Sequence, residues 1–381
     1  YLEVYFKFRV RKFMKLFKSL LVAPASLGLL APMAATANEV TINDFNAAEE
    51  IAVTNSRVDG LEARLNNFEA GSFSETTTAS FSADMYLGAE DTDEGTDNDS
   101  VMAGYSFQID LNTSFTGEDS LDIAIDAGVS GVGIDEFDGN TNGDSLKVDG
   151  LSYTFPLGDK TTVIAGIDTD GSALFTTACA YAGPSNMLDD CANVNAGITG
   201  GGATVGAAYD FGTGLTAAFG AQTTESAVFT DESLDAYALN AAYTGDNYGV
   251  SVTYGVVETS TTNEDTYTAF NAYYLPEGSN LPSLSVGYEI GDIGGAAATA
   301  DEKTSFMVGL SWDEVGPGSA GIALGHSSTV EGSDEEYQYE AYYSYPINDG
   351  MTITPLIYSK DNVTSGADDT TGVMVKTSFS F

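Results

Sequence analysis

Apolar and polar residues alternate with a period of two from residue 73 onward, in sixteen segments separated by stretches rich in Gly, Asp, Asn and Ser. In segment 101–115, for example, Tyr105 and Phe107 share one face and Ser106 lies on the other. This period is typical of β-strands whose two faces meet different environments. Most segments have ~9–11 residues or more, the length that a tilted strand needs to cross a bilayer.

The connections between these segments alternate between long and short. Short ones such as 212–214, 245–247 and 348–350 carry the Gly, Asn or Asp that suit tight turns. Long loops on one side and tight turns on the other, with an even strand count, are the topology of an outer-membrane barrel. The sequence therefore predicts an all-β fold, a 16-stranded antiparallel transmembrane β-barrel at 72–381, with its apolar face outward. Long loops are predicted at 89–100, 133–144, 169–202, 223–233, 258–265, 291–303, 328–336 and 360–369.

The first residues of the chain have the features of a removable leader. Met14 begins a short basic stretch, an apolar run follows, and Ala35 and Ala37 stand before a cleavage site. This pattern is typical of a secretory signal peptide, and it is too short and too interrupted by Pro and Gly for a membrane-spanning helix. We therefore assign 14–37 to a signal peptide and 1–13 to upstream translation.

Residues 38–71 are expected to form a short periplasmic α-helix ahead of the barrel. Apolar and small residues recur along it at alternating spacings of four and three, which is a heptad pattern. Two arrangements are open: a coiled coil that would trimerise the barrel, or an amphipathic helix that plugs or abuts it. The heptad positions are Ala47, Ile51, Thr54, Val58, Leu61, Leu65 and Phe68.

The chain is strongly acidic, with 56 Asp and Glu against 13 Lys and Arg and a formal net charge of −43. Six of the thirteen basic residues precede Asn38, so the chain left after cleavage is more acidic still. Because so few basic residues could neutralise phosphates, a nucleic-acid partner is excluded. The 21 Tyr and 20 Phe are spread along the sequence, which argues against disorder.

The longest connection, 169–202, holds both cysteines of the chain. Cys179 and Cys191 are predicted to form a disulfide because the leader directs the chain to an oxidising compartment; free thiols and a metal pair are the alternatives. In the general-porin architecture, which this layout resembles, the loop at this position folds into the barrel and narrows it. The alternative is a loop that lies on top of the barrel, where the disulfide would protect it.

The lumen of a sixteen-stranded barrel is aqueous, and charges along its wall and its narrowest part set the ion preference. Acids outnumber bases at the polar positions predicted to face the lumen, and no Arg follows Arg64. We therefore predict a cation-preferring channel. The alternative is that some of these acids lie at the rim of the barrel, where they would have little effect on permeating ions. The predicted pore-lining and constriction residues are Asp110, Asp122, Asp126, Lys147, Asp149, Asp170, Asp189, Asp190, Glu289 and Lys376.

Two stretches of the sequence resemble a known family. The leader MKLFKSLLVAPASLGLLAPMAATA and the segment RVDGLEARLNNFEA at 57–70 resemble the outer-membrane porins of marine picocyanobacteria. That family carries an S-layer-homology domain and a coiled coil before the barrel, and the sequence has no room for the former between Asn38 and Arg57. Some members are grouped with carbohydrate-selective porins or named for iron uptake. The resemblance implies a homotrimeric porin of the bacterial outer membrane that passes ions, carbohydrates or other small nutrients.

Two further features concern partners of the barrel. Phe381 resembles the terminal aromatic residue that the barrel-assembly machinery reads in outer-membrane proteins. The segment from Asp91 to Asp99 is rich in oxygen ligands but does not match the EF-hand spacing. We expect a generic acidic extracellular loop there, at which Ca²⁺ or Mg²⁺ could bind loosely against outer-membrane lipid, and no cofactor or dedicated metal site.

Enzymatic activity is not expected. Barrel proteases and phospholipases use a His with an acid or Ser partner, and the single histidine, His326, is predicted on the lipid-facing side near a strand end. The sequence therefore favours passive diffusion of small hydrophilic solutes and ions through a porin. The alternative is a non-conducting structural or adhesive outer-membrane barrel.

Overall fold

The computed structural model describes residues 77–91, 101–129, 143–223, 228, 230, 233–278, 280–295, 300–363 and 369–380. The chain divides into the units Tyr1–Gly71 and Ser72–Phe381, and every described residue belongs to the second. Several predicted features lie outside the described residues: the upstream segment 1–13, the signal peptide 14–37, the helix at 38–71, most of the acidic segment from Asp91 to Asp99, and Phe381.

The described residues contain sixteen β-strands, and their order along the chain is their order around the sheet. The strands are β1 Thr77–Asp91, β2 Met102–Thr113, β3 Ser120–Val129, β4 Lys147–Pro156, β5 Thr161–Ile167, β6 Ala203–Gly212, β7 Leu215–Thr223, β8 Asp235–Thr244, β9 Tyr248–Ser260, β10 Asn263–Tyr274, β11 Ser283–Asp292, β12 Glu302–Val315, β13 Gly318–Val330, β14 Gln338–Asn348, β15 Met351–Lys360 and β16 Thr370–Ser380.

Each strand pairs antiparallel with its neighbours in the chain, and β1 also pairs with β16, so the sheet closes into a barrel. The prediction of a 16-stranded antiparallel barrel is confirmed. Closure pairs the edge strands with each other, so neither edge is left open to pair with another chain. No helix in the described ranges is long and apolar enough to span a membrane.

One predicted long loop is wrong. The connection expected at 258–265 is instead a hairpin, because β9 continues to Ser260 and β10 begins at Asn263. A register shift at Asn263 and Glu264 and hydrogen bonds from the amides of Thr262 and Asn263 to the Ser260 hydroxyl hold it. The segment is polar enough to suggest a loop, but backbone pairing does not depend on side-chain polarity.

The two faces of the wall differ in the way that the alternation predicts. On β9, Val250, Val252 and Tyr254 are exposed, whereas Ser251 and Thr253 between them are buried. In a closed barrel the exposed apolar face is the outer one, and the buried polar face points to the enclosed space. A soluble protein would bury the apolar face instead, so this inversion matches a barrel surrounded by lipid.

The short turns hold the end of the barrel opposite the long loops. In the β2–β3 turn, the buried Asp119 carboxylate accepts hydrogen bonds from the amides of Phe115 and Thr116, and from the hydroxyl of Tyr153 on β4 at 2.6 Å. The Tyr153 hydrogen bond in particular keeps the pKa of Asp119 well below its usual range. In the β6–β7 turn, Gly214 has a φ of 85°, which a residue with a side chain rarely adopts.

Candidate pore and inner loop

The long connection between β5 and β6, residues 168–202, runs across the inside of the barrel wall; we call it the inner loop. Its main chain is hydrogen-bonded to inward-facing side chains on successive strands. The amide of Gly171 donates to Gln222 on β7, that of Thr176 to Asn240 on β8, that of Ala178 to Ser251 on β9, and those of Ala180 and Tyr181 to Ser285 on β11.

Glu289 on β11 anchors the end of the inner loop. Its carboxylate accepts hydrogen bonds from the amides of Asn195 and Ala196 at 2.9 and 2.8 Å, and from Asn195 Nδ2 at 2.7 Å. The residue is 1% exposed. A buried carboxylate is costly unless hydrogen bonds satisfy it, and here three donors from the loop do so.

Glu340 on β14 anchors the middle of the inner loop. Its carboxylate accepts hydrogen bonds from the hydroxyls of Tyr181, at 2.5 Å, and Ser185. The hydroxyl of the neighbouring Tyr342 donates to the carbonyl of Ala182 at 2.9 Å. The two glutamates therefore attach the loop to strands three positions apart in the wall.

An apolar cluster covers part of the inner wall beneath the loop. Tyr181, Met187 and Leu188 of the loop pack on buried inward-facing side chains from β12, β13, β15, β16 and β1. This cluster departs from the expectation of a polar lumen face, and burial by the loop is the reason: those positions do not meet water. The wall residues of the cluster are Tyr86, Met307, Ala323, Leu356, Tyr358 and Met374.

Cys179 and Cys191 form a disulfide within the inner loop, with their Cα atoms 6.3 Å apart. Cys191 is buried, and its carbonyl accepts a hydrogen bond of 2.7 Å from Asn271 on β10. The covalent ring of 179–191 thus contains the residues that reach Glu340 and is attached at its end to the wall. Such a ring reduces the number of conformations open to the loop.

Apart from Tyr86 and Met374, which belong to the apolar cluster, the wall formed by β16 and β1–β4 differs from the wall under the loop. Its inward-facing side chains are largely polar, and Ser80, Ser82 and Asn112 are exposed there. Asp110 and Asp122 are half-buried and face inward, where Asp110 binds Gln108 and Asp122 binds Asn112. Water-accessible space therefore borders this side of the barrel.

Three other predicted lumen residues lie on the same wall. Asp126 and Lys147 are register partners on β3 and β4, with Asp126 buried and Lys147 exposed. Lys376 on β16 forms an ion pair of 3.2 Å with Asp84 on β1, which the sequence reasoning did not single out. The charge of Lys376 is therefore paired with that of Asp84, whereas Lys147 is exposed.

The surroundings of Asp149 and Glu289 differ from those of the other predicted pore-lining residues. Asp149 lies in a bulge of β4, where the register passes from Gly150 to Val148, and its charge acts on Asp170 of the loop. Glu289 faces inward but is covered by the loop that it anchors. The periodicity placed Glu289 on the correct face and could not show that another segment would bury it.

The inner loop carries its own acids. Asp189 and Asp190 are exposed and Asp170 is half-buried. Although part of its side chain is exposed, the protein atoms around the Asp190 carboxylate reduce its hydration, and this effect, together with the negative charges of Asp189, Glu289 and Asp170, raises the pKa of Asp190 to about 6. Reduced hydration and the charge of Asp149 also raise the pKa of Asp170, although a hydrogen bond from the Gly201 amide opposes this.

The sequence reasoning missed Glu340, which anchors the loop. A signal was present, because Glu340 is an acid at an inward-facing position between the outward-facing Tyr339 and Ala341. His326 pairs with Phe306 on the outward-facing side of β13, as predicted, and packs between the rings of Phe306 and Tyr337. Among the residues that the structure describes, no three His, Cys, Asp or Glu side chains are grouped to hold a metal ion.

Comparison with known sequences finds similarity only at low identity. No protein-family model matches the chain. An uncharacterized protein of Nostoc sp., alr4550, is 24% identical over 432 positions, which cover 95% of this chain and 75% of that protein.

Solved structures show the likeness more clearly. OprB of Pseudomonas putida matches with a TM-score of 0.62 at 11% identity, over 80% of this chain and 94% of OprB. An anion-selective porin from Comamonas acidovorans matches with a TM-score of 0.59 at 14% identity, over 80% of this chain and 99% of the porin. At these identities the likeness concerns the fold alone. The chain therefore has the closed β-barrel fold of porins.

Proposed function

We propose that this chain is a porin of the bacterial outer membrane, through which small hydrophilic solutes and ions diffuse passively. The observation that carries the proposal is the contrast between the two walls. The wall of β7–β15 is covered by the inner loop, whereas the wall of β16 and β1–β4 is polar and partly exposed. The passage would run between this exposed wall and the loop, with 169–202 as its constriction.

We further propose that the passage prefers cations. Its wall carries Asp110 and Asp122, and the facing loop carries the exposed Asp189 and Asp190. Fixed negative charges beside a narrow aqueous path raise the local concentration of cations and repel anions. The barrel fold is also that of a porin described as anion-selective, so the side chains, and not the fold, must determine the preference.

Reconstitution of the full chain in planar bilayers tests the function. With a salt gradient across the bilayer, we expect stepwise conductance and a reversal potential of the sign that K⁺ permeation gives. A folded barrel that stays silent would support the structural or adhesive alternative. We also propose that the barrel is a homotrimer, and a gel band that shifts from trimer to monomer on heating would support this. Assembly through Phe381 and loose binding of Ca²⁺ or Mg²⁺ near Asp91 are part of the same proposal.

The raised pKa of Asp190 predicts a pH dependence of selectivity. Because this pKa is about 6, Asp190 is largely charged at pH 7 and takes up a proton as the pH falls toward 5. The passage then loses a negative charge, so its cation preference should weaken over this interval. Reversal potentials measured at pH 7, 6 and 5 check this, and in Asp190→Asn the part of the change centred near pH 6 should disappear. An identical pH profile in the variant would contradict the assignment.

A further inference from the structure

Five glycines face inward on the wall, directly beneath the inner loop; we call them the glycine seat. They come from β7, β9, β11, β12 and β13, which are among the strands that the loop crosses. Glycine weakens a strand because it loses more backbone entropy on folding than other residues and has no side chain to pack. Several glycines on one covered face therefore indicate a close approach of another segment. The seat consists of Gly220, Gly255, Gly287, Gly309 and Gly325.

At three of these positions a side chain would meet the main chain of the loop. A Cβ at Gly220 would collide with the carbonyl of Gly171, and one at Gly287 with the carbonyl of Cys191. At Gly255 the Cβ would lie 2.9 Å from the Cα of Ala196. A main chain cannot rotate out of the way as a side chain can, so the loop itself would have to move.

At the other two positions a Cβ would meet side chains of the loop. At Gly309 it would lie 2.6 Å from the Tyr181 ring. At Gly325 it would lie 2.9 Å from Leu188 Cδ2 and closer still to the carbonyl oxygen of Phe306 on β12, so this position is constrained by the wall as well as by the loop. Tyr181 and Leu188 belong to the apolar cluster that packs the loop on the wall. The seat therefore underlies both the hydrogen-bonded and the apolar parts of the loop.

We propose that the glycine seat sets the width of the passage, with its five residues acting as positioning residues that let the loop lie against one wall. The inference rests on the proposed function, because width has a meaning only for an open channel. A side chain added to the seat displaces the loop away from β7–β13. Among the residues that the structure describes, the exposed polar wall of β16 and β1–β4 lies on the side toward which the loop would move, so the passage narrows.

The test is a graded series at one position, Gly287→Ala and Gly287→Val, measured as single-channel conductance in planar bilayers. Conductance should fall in the order glycine, alanine, valine, and reach about half or less for valine as the narrowest section is reduced. Gly206→Ala is the matched control: it adds the same methyl group to the inner face of β6, where it would meet Ile164 at 3.1 Å and not the loop. Its conductance should equal that of the wild type.

Heat-modifiable migration on gels verifies that each variant forms a barrel. If Gly287→Val does not assemble, Gly255→Ala carries the same expectation with a smaller change of volume. Unchanged or increased conductance in the assembled seat variants would overturn the inference while leaving the proposed function intact. A wild-type barrel that conducts nothing would instead refute the proposed function, so the two failures are distinguishable.

Discussion

Replacement of Glu289 by alanine is expected to raise the single-channel conductance of the reconstituted barrel and to make it fluctuate. The change removes the acceptor for the amides of Asn195 and Ala196 and for the Asn195 side chain. Each donor left without a partner in a buried place costs about 1–3 kcal/mol, which a loop can avoid by detaching and meeting water. Because the loop covers the wall of β7–β15, detachment exposes that wall and widens the lumen.

Glu258→Ala is the matched control for this prediction. Glu258 is an acid on β9 that also accepts a backbone amide hydrogen bond, from Asp235 at 3.1 Å, but its partner lies outside the inner loop. Its loss should leave conductance at the wild-type level. Conductance traces of Glu289→Ala that match the wild type, from a barrel verified by its gel migration, would show that Glu289 does not hold the constriction.

The direction of the change separates this effect from that of the glycine seat. Removal of an anchor frees the loop and should increase conductance, whereas addition of a side chain under the loop pushes it into the passage and should decrease conductance. A general loss of stability would give neither pattern. The two sets of variants therefore test the same position of the loop through opposite expected changes in conductance.

Reversal of charge at Asp189 and Asp190 is expected to produce the largest change in ion selectivity. Both side chains are exposed on the loop, and on the facing wall Lys376 is paired with Asp84. A unit charge contributes on the order of 0.5–1 kcal/mol to an ion that passes within several ångströms in water. In Asp189→Lys/Asp190→Lys we therefore expect the ratio of K⁺ to Cl⁻ permeability to fall by about threefold or more.

The control for selectivity is Asp246→Lys in the β8–β9 turn, which makes the same kind of charge change outside the inner loop and the strands. Reversal potentials in a KCl gradient should move toward zero for the double variant and stay in place for the control. Asp110 and Asp122 on the wall would leave some cation preference in the double variant. Equal shifts in both variants would mean that overall charge, and not the constriction, determines selectivity.

The strands and their faces were accessible from the sequence, because alternation is a property of neighbouring residues. The alternation predicted Asp110, Asp122 and Lys376 on the inner face, and the register of their strands places their side chains on that face. That they line a pore stays a prediction. The one long loop that was predicted wrongly, 258–265 between β9 and β10, also came from a local property of neighbouring residues. Polarity suggested a loop there, while backbone hydrogen bonds, which do not depend on polarity, extended the ladder to Ser260.

The sequence by itself determined a sixteen-stranded barrel with an apolar outer face, and it singled out 169–202 as the segment most able to enter the lumen. Only the tertiary structure decided which wall this segment covers, that Glu289 and Glu340 are anchors beneath it, and that apolar side chains such as Met307 belong on an inner face. The physical reason is distance along the chain. The decisive hydrogen bonds join residues 94 positions apart for Asn195 and Glu289, and 159 apart for Tyr181 and Glu340, and no local pattern encodes such pairs.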